Sequence, residues 1–210
     1  MATSEHPMQK LAEYLPDNTF HPVLSILNQY KVHLKITRQR ATVLGDYRHK
    51  GMYGNHIITV NGNLNKYEFL LTLLHELAHL LTYEQHKNKV AAHGIEWKIN
   101  YGKILHAFVE LKCFPEDIEK ALQKTIRNPA ATTAGETELI KILRRYNANT
   151  RPDVIHVEQL QDGQLFITKD GRVFKRGNLR RKRYECIDVH TGLKYHISAI
   201  AEVKLFEGTA

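Results

Sequence analysis

The stretch "HELAHLLTYEQHKNKVAAHGIEW", residues 75–97, decides how this chain is read. His75, Glu76 and His79 form the pattern H-E-x-x-H, and two further histidines follow, His86 and His93. The segment leading into it, "NKYEFLLTLL", is too long and too leucine-rich to be a strand. It predicts a helix over 65–86, with Asn65 as its N-terminal cap and Glu68 three residues on. Residues four apart on a helix lie on one face, so His75 and His79 project side by side. They can place two imidazole nitrogens about 2.0–2.1 Å from one Zn²⁺. Glu76 is turned about 100° from His75. It can reach a water activated at the metal without ligating the ion, as a general base must.

The pattern alone is weak: with 13 histidines in the chain, it arises by chance in about one sequence in twenty. Its surroundings give it weight. Two histidines and a glutamate inside an otherwise apolar helix cost free energy unless they gain partners. His86 lies two turns beyond His79, about 10 Å along the axis, and cannot share a metal with it on a straight helix. The spacing H-E-x-x-H-x-x-G-x-x-H also fails, because Thr82 and Gln85 stand where glycine and histidine are required. His93 follows "EQHKNKVAA", long enough for a return turn, and precedes Gly94 at the start of the next helical pattern. A chain that doubles back brings His93 beside the first pair and leaves a fourth coordination position open. His93 is therefore the expected third ligand.

These residues resemble a family. "LLHELAHLLTYE", the delayed "HG" and Trp97 are similar to the SprT-like zinc metalloproteases, which include the Spartan-type DNA–protein crosslink proteases. So are "KITRQRATVLGDY" and "HIITVNGNL" upstream. The resemblance spans roughly residues 20–110. It implies a zincin-like fold, one zinc at His75, His79 and His93, Glu76 as catalytic base, and protein substrates bound to nucleic acid. It also implies that an edge strand within 41–60 pairs with the extended substrate.

The rest of the chain frames this. Of 210 residues 42% are hydrophobic and 25% charged, enough for one ordinary domain and a small second one. Lys and Arg number 30 against 22 Asp and Glu, a net charge of +8 that favours anionic partners. No apolar run is long enough to span a bilayer. The start "MATSEHPMQK" lacks the pattern of a secretory signal. Cys113 and Cys186 make neither a disulfide framework nor a C-x-x-C knuckle. These features point to the cytoplasm and to no membrane.

Short helices are expected over "HPMQKLAEYL" and "FHPVLSILNQY", and strands at "KVHLKITR", "ATVLGDYR" and "HIITVNG". Helices follow at "HGIEWKINYGKILHAFVELK", "PEDIEKALQKTI" and "ELIKILRRY", with "RNPAATTAGET" as a linker. From Val154 the period becomes two, with turns at Asp162-Gly163, Asp170-Gly171 and Thr191-Gly192. "KYHISAIAEVKLF" reads as one strand.

Many SprT-like proteins carry a C-terminal zinc ribbon of two C-x-x-C pairs; here only Cys186 is present, too little for a second zinc. The same region holds Arg172, Lys175, Arg176, Arg180, Arg181, Lys182 and Arg183 with no acid between them. Phe174, Tyr184 and Tyr195 are aromatics that could stack on bases, so non-specific DNA or RNA binding is an expectation. The bland alternative is a solvated face. His86, His106, His156, His190 and His196 read as surface or packing residues, and Trp97 as a core anchor.

The fold expected is α+β: a zincin-like metalloprotease domain over 1–126, a linker and short helix over 127–150, and a small basic antiparallel β module over 151–210. The function expected is that of a monomeric zinc endopeptidase acting on proteins near or crosslinked to nucleic acid. Two alternatives stay open: a non-enzymatic, zinc-stabilised nucleic-acid-associated adaptor in transcription or stress response, and a hydrolase of small amides.

Overall fold

The computed structural model describes residues 8–40, 43–51, 54–127, 137–147, 154–181 and 183–207. The chain is mixed α+β and divides into two compact units, Met1–Ala148 and Asn149–Ala210. Among the described residues no helix is long and apolar enough to cross a membrane.

In the first unit a 3-10 turn at Gln9–Tyr14 replaces the expected opening helix. Pro16 disfavours helical backbone at Leu15, which is extended. Then come α1 (Phe20–Gln29), β1 (Val32–Thr37), β2 (Gly45–Arg48) and β3 (His56–Asn61). The sheet order is β1-β3-β2, with β3 parallel to β1 and antiparallel to β2. β2 is thus an edge strand. Gly45 lies opposite Val60 and Tyr47 opposite Ile58, both buried, so Gly45 and Tyr47 share the covered face of the sheet.

α2 (Lys66–His86) packs across β2 and β3. Asn65 caps it: its side-chain oxygen accepts from the backbone N–H groups of Tyr67 and Glu68 at 3.1 and 3.0 Å, a cap worth about 1 kcal/mol. Phe69, Leu70, Leu71, Leu73, Leu74, Leu77, Ala78 and Leu80 are all buried, which makes α2 the centre of the core. It ends where Lys87 turns left-handed at φ +54°. α3 (Ile95–Glu110), α4 (Glu116–Arg127) and α5 (Thr137–Arg144) complete the unit.

α5 is more than a connector. Leu139 and Leu143 are buried in the same core. The Asn65 amide donates to Leu143 O at 2.9 Å, and the Tyr146 hydroxyl donates to Asp117 at 2.7 Å. Of the expected linker, residues 128–136 lie outside the described residues.

The second unit contains β4 (Ile155–His156), a 3-10 turn at Val157–Gln159, β5 (Leu165–Ile167), β6 (Val173–Arg180), β7 (Arg183–Asp188), β8 (Lys194–Ser198) and β9 (Glu202–Leu205). They form one antiparallel sheet ordered β4-β9-β5-β6-β7-β8. Gly163, Gly171 and Gly192 have φ of +79°, +84° and +71° at the anticipated turns, where a side chain would be strained. The single strand read over "KYHISAIAEVKLF" is in fact two. The chain turns where Ala201 N–H bonds Ser198 O at 3.0 Å, so β8 joins β7 while β9 joins β4 and β5. Alternation tells which face a residue takes, not which neighbour its strand pairs with. Val157, Phe166, Phe174, Tyr184, Cys186 and Val203 form this unit's own core.

Candidate metal centre

His75 and His79 stand one turn apart on α2, and the loop after Lys87 returns His93 to them. The return is set locally. Gly94 N–H bonds Ala91 O at 2.9 Å, and Gly94 then caps α3, its carbonyl accepting from Lys98 N–H at 3.1 Å. His75 Nε2 lies 3.3 Å from His79 Nε2 and 3.3 Å from His93 Nε2. One ligand atom from each of the three falls within 4.8 Å of the others.

This spacing fits a metal. Two nitrogens on a tetrahedral zinc, each about 2.05 Å from the ion, stand roughly 3.3 Å apart. The donors are also in the right form, since a ligating histidine must be neutral. Burial, then the repulsion of neighbouring histidines, pushes His75 down to about 3 and His79 down to about 4. Burial lowers His93 as well. His86 sits in the last turn of the same helix, outside the cluster, as its spacing implied.

Trp97, one turn into α3, is fully buried, and it is more than a core anchor. Its ring centroid lies 4.7 Å from His75, 5.4 Å from His79 and 4.7 Å from His93, so one indole packs against all three imidazoles. Tyr101 stacks behind it at 4.9 Å.

Glu76 is buried and makes no hydrogen bond or ion pair with any described residue. Burial, reinforced by Asp46 and opposed by Arg40, pushes its carboxyl up to about 8. Arg40 is held in place by Asn61, Thr59 and the carbonyl of Leu44. The strand above Glu76 passes very close. A Cβ added at Gly45 would lie 2.8 Å from Glu76 Oε1 and 2.8 Å from Thr72 Cγ2, so any side chain there would displace one of them.

A chain of three side chains lies behind His79. The Tyr47 hydroxyl is 2.9 Å from His56 Nδ1, and His56 Nε2 is 3.1 Å from Glu84 Oε1. The carboxylate can only accept, so His56 carries its proton on Nε2 and takes the phenolic hydrogen bond on Nδ1. Burial, then the charge of Glu84, raises the Tyr47 phenol far above its ordinary range, so it stays protonated. The Tyr47 and His79 rings lie 3° from parallel with centroids 6.5 Å apart. Sequence reading missed Arg40, Gly45, Tyr47 and His56. Their proximity depends on strand register and on how the sheet meets α2, neither of which has a local signature.

The basic residues of the second unit divide into two groups. Arg172 donates to Asp188 Oδ2 at 3.1 and 2.6 Å and lies over the rings of Phe174 and Tyr195 at 4.9 and 4.5 Å. Arg176 lies 4.1 Å over Tyr184. These two arginines are engaged within the module. Phe174 and Tyr184 are buried beneath them and offer no face to a base. Lys175, Arg180, Arg181 and Arg183 are exposed, the last three at the β6–β7 turn, where Arg181 has φ +60°. Lys182 lies outside the described residues.

Comparison with known proteins gives one match. The family model for the SprT-like family matches residues 8–120, more than half of the chain and all of the metal centre. No curated protein and no solved structure matches the chain.

Proposed function

The chain belongs to the SprT-like family, and from that premise we propose that it is a zinc-dependent endopeptidase of zincin-like fold. One observation carries the reading: three imidazole nitrogens converge within 4.8 Å of one another, two from α2 and one from the loop after it, and α2 also carries the buried Glu76, which makes no hydrogen bond or ion pair with any described residue. His75, His79 and His93 would hold the ion. When bound, zinc supplies a Lewis acid that polarises the scissile carbonyl and lowers the pKa of a water towards neutrality. Glu76 accepts that water's proton on a carboxylate oxygen as the water attacks, then returns it to the departing amine nitrogen. Its burial raises its proton affinity, the direction a general base needs. The free edge of β2, with Gly45 directly over Glu76, offers backbone donors and acceptors to an extended substrate strand.

The adaptor reading is less well supported, because a purely structural zinc site has no use for a buried carboxyl that makes no hydrogen bond or ion pair among the described residues. We further propose that the substrates are proteins near or crosslinked to nucleic acid, met in the cytoplasm. Lys175, Arg180, Arg181 and Arg183 would contact phosphates without reading sequence. Reversing the charge of Arg180 and Arg181 should weaken DNA binding and flatten its salt dependence; an unchanged slope would reject this part.

The central test is zinc content together with cleavage of a DNA-bound protein by wild type, Glu76→Gln and His93→Ala. The expected result is one zinc in wild type and Glu76→Gln, less in His93→Ala, and cleavage by wild type alone. One zinc in all three with no cleavage would reject His93 as an essential ligand and favour the adaptor.

A further inference from the structure

A groove of about 800 Å³ begins at His93 and runs along the outer face of α3 to the end of α4. Ile95 and Ile99, one helical turn apart, line it and are 69% and 50% exposed. Two isoleucines thus stand open to water in one concavity. Gly102 forms part of its floor, where a Cβ would come within 3.0 Å of the Ile126 carbonyl, so a bare backbone lets α3 and α4 approach. Lys98, Lys103 and Arg127 line the walls, and no acidic residue lines it among the described residues.

We propose that this groove docks the substrate polypeptide on one side of the scissile bond, and that it selects an apolar side chain flanked by acidic residues. The apolar side chain covers Ile95 and Ile99, and the acids meet Lys103 and Arg127. The occupant is polypeptide rather than a nucleic-acid strand. Among the described residues its only lining rings are His93, a member of the triad, and His106, whose Nδ1 lies 3.9 Å from Glu110, and the two isoleucines gain nothing against a phosphodiester. His93 is both a wall of the groove and a member of the histidine triad, so a chain lying there touches one residue of the metal centre. The inference rests on the endopeptidase reading for what the docked chain is, but its test is read by binding.

The probe is a fluorescein-labelled twelve-residue peptide with a central leucine between pairs of glutamates. It is titrated by fluorescence anisotropy into full-length zinc-loaded Glu76→Gln protein. A counterpart with lysines for glutamates and an oligo-dT strand serve as rivals. Ile99 and Lys103 are exposed, so Ile99→Asp and Lys103→Glu should fold and keep their zinc. The acidic peptide is expected to bind at least about tenfold more tightly than the lysine peptide, and each substitution to weaken it about tenfold. Equal binding of both peptides, or affinities untouched by Ile99→Asp and Lys103→Glu, overturns the groove even if wild type proves to be a protease. Displacement of the peptide by oligo-dT, with Lys103→Glu harmful and Ile99→Asp neutral, makes the groove a nucleic-acid path and also overturns it. Selective peptide binding without cleavage by wild type leaves the groove standing and removes the protease.

Discussion

The two units treat clustered polar residues in opposite ways. In the first, His75, His79 and His93 are drawn from a helix and a loop into one point, with Trp97 packed against all three. In the second, the six described basic residues of the run between Arg172 and Arg183 are dispersed. Arg172 and Arg176 turn to aromatic rings and acids of the module, while Lys175, Arg180, Arg181 and Arg183 face solvent. A helix superimposes residues four apart, whereas a strand sends neighbours to opposite faces. Density along the chain is therefore no guide to density in space. The sparser cluster makes the more concentrated site.

The largest effect expected on this contrast is from His93→Ala, which removes one of three converging nitrogens. Zinc affinity and peptide cleavage should both fall by at least about a hundredfold, read by elemental analysis and by turnover of a protein substrate. His86→Ala, altering a histidine of similar sequence distance, should leave both unchanged; a loss of zinc there would break the assignment.

Gly45→Ala comes next. The added methyl must displace Glu76 or lift the edge strand, and a misplacement of about 1 Å can cost a hundredfold in rate. Cleavage should drop on that scale while zinc content stays at the wild-type value. Full activity in this variant would show that Glu76 does not work where it is placed.

Acid should separate the units. His75 and His79 have folded values of about 3 and about 4, below the ordinary 6.5. The unfolded chain then binds more protons, and the metal-free first unit loses stability as pH falls from 6.5 towards those values. Asp188, held down to about 2 by backbone N–H of Thr191 and then by Arg172, contributes stability that persists until pH drops below about 3.8. The single tryptophan of the chain is Trp97, so its fluorescence reports the first unit alone. Fluorescence should show acid unfolding at a higher pH than the loss of amide-exchange protection in β6 and β7. Coincident transitions would contradict the contrast.

The smallest effect separates the basic residues themselves. Arg172→Ala leaves Asp188 without its cation and uncovers Phe174 and Tyr195, so thermal unfolding of the second unit should move to lower temperature. Arg180→Ala should leave that temperature nearly unchanged. Equal shifts would mean that the two arginines are not divided between structure and surface.

Much of the first unit could be read locally. The Asn65 cap, the run of leucines and the i, i+4 histidines are all properties of one helix, and α2 follows them from Lys66 to His86. His93 was reachable by excluding the spacings that geometry forbids. The break at Ser198–Ala201 was not, because both halves keep the same alternation while changing partners. Nor was the packing of Leu139 and Leu143 into the first unit's core, since an amphipathic helix shows which face is buried but not against what.

By itself, then, the sequence determined which two histidines share one face of α2 and where Glu76 stands between them, because a helix converts spacing into direction without outside help. It determined the antiparallel module in outline for the same reason, through a period of two and glycine turns. Tertiary structure alone decided what surrounds Glu76, namely the close approach of the edge strand at Gly45 and the Arg40 and Asp46 charges that oppose each other there, and it alone placed the Tyr47–His56–Glu84 chain behind His79. Those contacts depend on which strands pair, in what register, and on which helix they rest. Such choices are settled by burial of the whole core and leave no mark on any short stretch of residues.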